Sequence, residues 1–277
     1  PYNFRGAFYE PAITHSSQLG ECHSQEFSRI KTLGAGINGK VYLAKHLPTD
    51  TTVALKVLEG KRNETAQFER FRNEECIQHY VSDYDAVPDF YCSMVDGNDI
   101  LMAMEPIAGR GLDFLLKRGT KSSIKLNVEL AQRVVATVIL FLEQMHQVGV
   151  MFYDLRAKNV MIAYDGAVRI IDYGLARRHD GPLPVYLENP PPPTFPADHR
   201  PHINDYLQPD RPVLDDWYDV GLLLHQLHTH DRDPFHMMLS EYKFKYRYEW
   251  GIECPYSMGE EACNLMQRLM HPQVAQR

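Results

Sequence analysis

The chain has 277 residues, a net charge of −7 at pH 7 and 44% hydrophobic residues. This length allows one large or two closely packed domains with ample core. Mild acidity without a dense Lys/Arg run gives nucleic-acid binding no electrostatic support, and no apolar stretch reaches membrane-spanning length, since Val134–Leu142 fits a core or amphipathic helix.

Pro1–Gly6 does not resemble a signal peptide, and the absence of an initial Met reads as a fragment. Five cysteines (Cys22, Cys76, Cys92, Cys254, Cys263) form no C-x-x-C pair, and their odd number argues against a disulfide framework. A reducing, cytoplasmic setting is therefore expected, whether in the chain's own cell or in a host cell receiving a pathogen effector.

Residues 1–27 mix Pro, Gly, Ser and His with aromatics and read as an N-terminal extension draped over a lobe. Residues 28–104 are strand-rich. Within them Leu33-Gly34-Ala35-Gly36-Ile37-Asn38-Gly39-Lys40-Val41 carries three glycines at a spacing that lets backbone N–H groups approach phosphates. The dinucleotide-binding fingerprint shares that spacing, but a helix must open at its loop. Here Val41–Ala44 and Thr52–Lys56 follow, which is strand–turn–strand. Phe68–Tyr80 is the strong helix of this region.

Residues 109–277 alternate long helices with a hairpin. Glu129–Gln147 places Leu130, Val134, Val138, Phe141, Leu142 and Met145 on one face, with Gly149 as the stop signal. Val160–Ile162 and Val168–Ile171 read as strands closed by Asp165-Gly166. The hairpin returns the chain so that Asp154, Asn159 and Asp172 can converge, and oxygen donors gathered this way suit Mg²⁺ and a phosphate chain. His225 and His228, with His230 nearby, read as core or surface histidines rather than a zinc site, because further ligands are missing. Asn189–Pro193 reads as a stiff extended loop in preference to an SH3-type ligand. Tyr242–Trp250, where Lys and Arg alternate with aromatics, reads as a half-buried surface segment.

Together the G-x-G-x-x-G-x-V loop, Val53-Ala54-Leu55-Lys56, Tyr153-Asp154-Leu155-Arg156-Ala157-Lys158-Asn159 and Asp172-Tyr173-Gly174 resemble a eukaryotic-type protein kinase, in the correct order. The resemblance implies an α+β bilobal fold over residues 28–277. A strand-rich N-lobe would span 28–104, a hinge 105–108 and a mostly helical C-lobe 109–277. It implies ATP and Mg²⁺ as cofactors and a protein substrate. Leu33, Gly34, Gly36, Gly39, Val41 and Ala54 would surround the nucleotide, with Met104 as gatekeeper and Glu105 to Ile107 meeting the adenine edge. Lys56 would hold the α- and β-phosphates and pair with a helix carboxylate, for which Glu74 and Glu75 both qualify and Glu74 is preferred. Asp154 would orient the substrate hydroxyl, Arg156 would add positive charge near the transferred group, and Asn159 and Asp172 would bind the metal. Asp216 would hold the catalytic loop through its backbone N–H groups.

The sequence also departs from the family. Phe152-Tyr153 replaces the His-Arg pair before Asp154, so the Arg that meets a phosphorylated activation loop is absent. Constitutive activity or control by a regulatory partner protein is the expectation. No clear Ala-Pro-Glu lies between Gly174 and Asp216; Pro196-Ala197-Asp198 is the nearest approach. The doubled Asp215-Asp216 and the stretch 99–116 weakly resemble the casein kinase 1 group, while Asp154–Ala157 resembles some tyrosine kinases. Serine/threonine specificity is expected. Two alternatives are a pseudokinase scaffold that works by binding a partner and a small-molecule kinase on the same fold. Retention of Lys56, Asp154 and Asp172 favours the active enzyme.

Overall fold

The computed structural model describes residues 19, 22–36, 39–60, 65–117, 126–178, 213–229, 254 and 258–270. Expectations for residues 1–18, for the proline run and Pro196–Asp198, for His230 and for Tyr242–Trp250 lie outside them.

The described chain forms two compact units. The first runs to Ala108 and takes back Asp172–Leu175. It is built on five antiparallel strands: β1 (Phe27–Gly36), β2 (Gly39–His46), β3 (Thr51–Leu58), β4 (Phe90–Asp96) and β5 (Asp99–Met104), in the spatial order β1-β2-β3-β5-β4. The β-branched and apolar run Thr51–Leu58 suits the central strand, and Val53–Leu58 are all buried. One core cluster joins Leu55, Val57, Leu101 and Ala103 to Leu19 and Phe27, so part of the N-terminal extension belongs to the core. A second cluster packs Phe71 of helix α1 (Thr65–Tyr80) on Leu58, Ile100 and Met102. That packing sets which face of α1 meets the sheet.

Two cystines are present, Cys22–Cys92 and Cys254–Cys263, with Cys76 left as a thiol. This corrects the expectation that the odd cysteine count argues against a disulfide framework. An odd count constrains only parity, and one unpaired cysteine is compatible with two bridges.

The second unit comprises Gly109–Ile171 and the described residues from Ala176 on. Helix α2 (Leu112–Leu115) is short; α3 (Val128–Gln147) is the longest described helix. Asn127 caps α3 by accepting the Leu130 N–H at 2.8 Å, and Val134, Val135, Val138, Phe141, Leu142 and Met145 are buried. Helix α4 (Val213–Thr229) packs against α3 and against α5 (Glu260–Leu269). Strands β6 (Gly109–Gly111), β8 (Val160–Ala163) and β9 (Val168–Ile170) form an antiparallel sheet, and β7 (Val150–Met151) pairs with β10 (Arg177–Arg178). Asp165-Gly166 closes the β8–β9 hairpin: Gly166 has φ 90°, and Asp165 accepts the Ala167 N–H at 2.9 Å. Among the described residues, no helix is long and apolar enough to cross a membrane.

Candidate active site

In the first unit, β1 and β2 form the glycine hairpin, with Gly36 paired to Gly39. A Cβ at Gly34 or Gly36 would meet no described atom within 4 Å, so these positions leave open space over backbone N–H groups. Gly39 is a glycine for another reason. Its φ is +105°, and a Cβ there would lie 2.4 Å from the Val57 carbonyl oxygen of β3. Leu33 is exposed and Val41 half-buried in this hairpin. Ala54 is buried on β3 opposite Met104, the last residue of β5. The Glu105 N–H is bonded to the Asp89 carbonyl at 2.9 Å, and Glu105, Pro106 and Ile107 are half-buried.

Lys56 stands next to this surface, on β3. Its ammonium donates to Glu74 Oε1 of α1 and lies 3.7 Å from Asp172 Oδ1. Lys56 and Glu74 are both buried. Burial alone would lower the lysine pKa, but the Glu74 and Asp172 carboxylates outweigh it and hold the pKa above its usual value. Lys56 is therefore a fixed positive charge. Glu75, one residue on, turns away to accept bonds from Arg72 and Ser93. Tyr173 is fully buried; burial first, and the Glu74 charge second, push its phenol well above the ordinary range.

The second unit carries Asp154. Arg156 Nη2 donates to Asp154 Oδ2 at 3.0 Å, and Nε lies 2.9 Å from Oδ1 as an ion-pair contact. Asn159 Nδ2 donates to Asp154 Oδ2 at 2.8 Å and to its backbone carbonyl at 2.9 Å. With the amide nitrogen so committed, the Asn159 amide oxygen is the atom a cation would take. The segment is held from α4: Asp216, fully buried, accepts the Phe152 N–H at 2.8 Å and the Tyr153 N–H at 2.7 Å. Tyr153 has φ 61° and Asp172 φ 68°, left-handed conformations that cost non-glycine residues energy and recur at functional positions.

His146 and Phe152 complete the support. His146, in the last turn of α3, contacts Asp216 Oδ2 at 2.9 Å through Nε2 and stands edge-on to Trp217. Phe152 is fully buried and edge-on to Phe141, with centroids 5.4 Å apart, so it supports the segment by packing. The sequence reading missed His146. Its only local signal was a polar side chain beside the buried Met145 at a helix end.

A hard divalent cation that keeps most of its shell as water and phosphate needs only one or two protein oxygens. Asp172 in the first unit and Asn159 in the second each carry an oxygen of that kind, and no cluster of three or more His, Cys, Asp or Glu that could hold a metal exists among the described residues. Within the first unit, the buried Lys56 beside Asp172 and the open positions at Gly34 and Gly36 suit a phosphate chain with its divalent cation.

A protein kinase domain profile matches residues 27–277. The chain belongs to the protein kinase domain family, whose bilobal α+β fold has the five-stranded N-terminal sheet and C-terminal helices seen here. Among its relatives is a cAMP-dependent protein kinase, catalytic subunit-like, of Caenorhabditis elegans, 24% identical over 91% of this chain and 60% of the relative. The Arabidopsis thaliana serine/threonine-protein kinase KIPK1 is 30% identical over 67% of this chain and 20% of its own length. Protein kinase C-like 1 of Saccharomyces cerevisiae is 31% identical over 54% of this chain and 13% of its own. The alignments thus cover 60% or less of these relatives.

Proposed function

We propose that the chain is an active ATP- and Mg²⁺-dependent protein kinase that phosphorylates serine or threonine hydroxyls. The observation that carries this reading is the buried Lys56–Glu74 pair beside Asp172, because a lysine held charged in a buried site has an anionic ligand as its natural partner. Lys56 would neutralise the α- and β-phosphates, and Gly34 and Gly36 would offer backbone N–H groups to the same chain. Leu33, Val41, Ala54 and Met104 would enclose the base, and the backbone of Glu105–Ile107 would meet its edge. Mg²⁺, bound through Asp172 and Asn159, would neutralise charge that develops on the phosphate oxygens.

Asp154 would accept a hydrogen bond from the substrate hydroxyl and aim its oxygen at the γ-phosphorus. The Arg156 Nη2 bond orients that carboxylate and brings positive charge next to it. Names of the relatives support the serine/threonine assignment. Tyr153, where the family carries Arg, leaves no receptor for an activation-loop phosphate, so activity would run without that switch or under a partner protein.

Asp172→Asn tests the metal role. Mg²⁺-dependent phosphoryl transfer should be lost while the thermal midpoint stays within about 3 °C of wild type, a change of roughly 1 kcal/mol. Retained transfer would remove Asp172 from the metal site, and a scaffold that only binds nucleotide would show no transfer in either protein.

A further inference from the structure

The two cystines divide between the two units, one in each. Cys22 lies just before β1 and Cys92 lies on β4, and both pack against the core cluster of Leu19, Phe27, Met94 and Leu101. They are 70 residues apart in sequence. The loop they close contains β1, β2, β3 and α1, and with them Gly34, Gly36, Lys56 and Glu74. The same junction is fastened by Ser24 Oγ, which donates to Asp96 Oδ2 of β4 at 2.6 Å. Cys254–Cys263 ties the approach of α5 to that helix, nine residues apart. A cross-link that closes a long loop removes much of the entropy of the unfolded chain, here from the part that carries the phosphate-binding lysine.

The fifth cysteine behaves as such a scheme requires. Cys76 is half-buried on α1, and burial, aided by the neighbouring Glu75 charge, raises its thiol pKa. A thiol kept protonated is a poor nucleophile in exchange with a disulfide.

We propose that this kinase domain is built for an oxidising compartment, with Cys22–Cys92 as the staple of its nucleotide-binding unit. Cytosolic thiol pools keep bridges of this kind open, whereas secretory and extracellular compartments form them. Each bridge forms when two thiols give up two electrons and two protons to a disulfide donor, which becomes a dithiol. This proposal stands against the cytoplasmic expectation drawn from the cysteine count. Substrates would be proteins of the same compartment, a corollary that rests on the proposed activity.

The full chain should be produced twice, through a secretory pathway behind a cleavable leader and in a reducing cytosol. Non-reducing peptide mapping of the secreted protein should find Cys22 linked to Cys92, with Cys76 recovered as a free thiol. Its thermal midpoint should exceed that of the cytosolic product by roughly 5–15 °C, or the cytosolic product should fail to fold. Within the secreted form, Cys22→Ser/Cys92→Ser should lose most of that gain and Cys76→Ser none. Five free thiols in a folded secreted protein, equal midpoints, or folding only in the cytosol would overturn the inference. A bridged, stable protein that transfers no phosphate would reject the proposed activity and leave the staple standing.

Discussion

Lys56 and Glu74 form a buried ion pair between the central strand β3 and helix α1, while Glu75, adjacent on the same helix, is bonded to Arg72 and Ser93. Consecutive residues on a helix point about 100° apart, so only one of two neighbouring carboxylates can face a given lysine. Here the sheet-facing position is occupied by Glu74, in line with buried Phe71, Ile77 and Gln78.

Glu74→Gln should leave Lys56 with a single carboxylate partner. Breaking one side of a buried pair costs about 3 kcal/mol, and positioning of Lys56 fails with it. Denaturant unfolding should report that loss, and kcat should fall more than tenfold. Glu75→Gln, which only loosens a partly exposed cluster, should cost about 1 kcal/mol and change kcat less than threefold. Equal kinetic effects of the two substitutions would contradict the assignment.

The glycines separate in the same manner. Gly39→Ala meets both a left-handed backbone and the Val57 carbonyl, so it should destabilise the protein by roughly 1–3 kcal/mol. Gly34→Ala meets no described atom. It should leave stability within about 0.5 kcal/mol and weaken ATP binding. Thermal shift with and without nucleotide checks both, and a fold-wide loss in Gly34→Ala would reject the open-cradle account.

Much of this was legible in the residues. Helix α3 was readable because its apolar positions repeat at helical spacing ahead of the stop signal Gly149, and the β8–β9 hairpin because Asp165-Gly166 is a turn pair. Leu130, assigned to the buried face of α3, is only half-buried, because it lies in the first turn. Helix α1 begins at Thr65, three residues before the expected start, since helix ends carry weaker signals than interiors. Contacts between residues distant in sequence were not legible. His146 and Asp216 are 70 positions apart, as are Cys22 and Cys92, and no periodicity encodes such pairings.

Tyr173 gives a prediction in pH. Its buried phenol, raised by desolvation and by Glu74, holds its proton more tightly in the folded protein than in the unfolded chain. The corresponding stability is whole below about pH 10 and is lost as pH rises beyond that value. Lys56, also raised, acts in the same direction. Tyr173→Phe should therefore lose less stability than wild type between about pH 9.5 and 11, read as the shift in denaturant midpoint. Parallel curves for the two proteins would show that the phenol does not contribute.

The most direct test of the account is transfer of radiolabelled γ-phosphate from ATP with Mg²⁺, comparing wild type with Asp154→Ala on autophosphorylation and on a mixed protein substrate. Wild type should incorporate label as phosphoserine or phosphothreonine, and the variant, still binding ATP, should fall by about 100-fold or more. Equal incorporation by the variant, or none by a wild-type protein that binds ATP, would contradict the assignment of Asp154 as the residue that directs the acceptor hydroxyl.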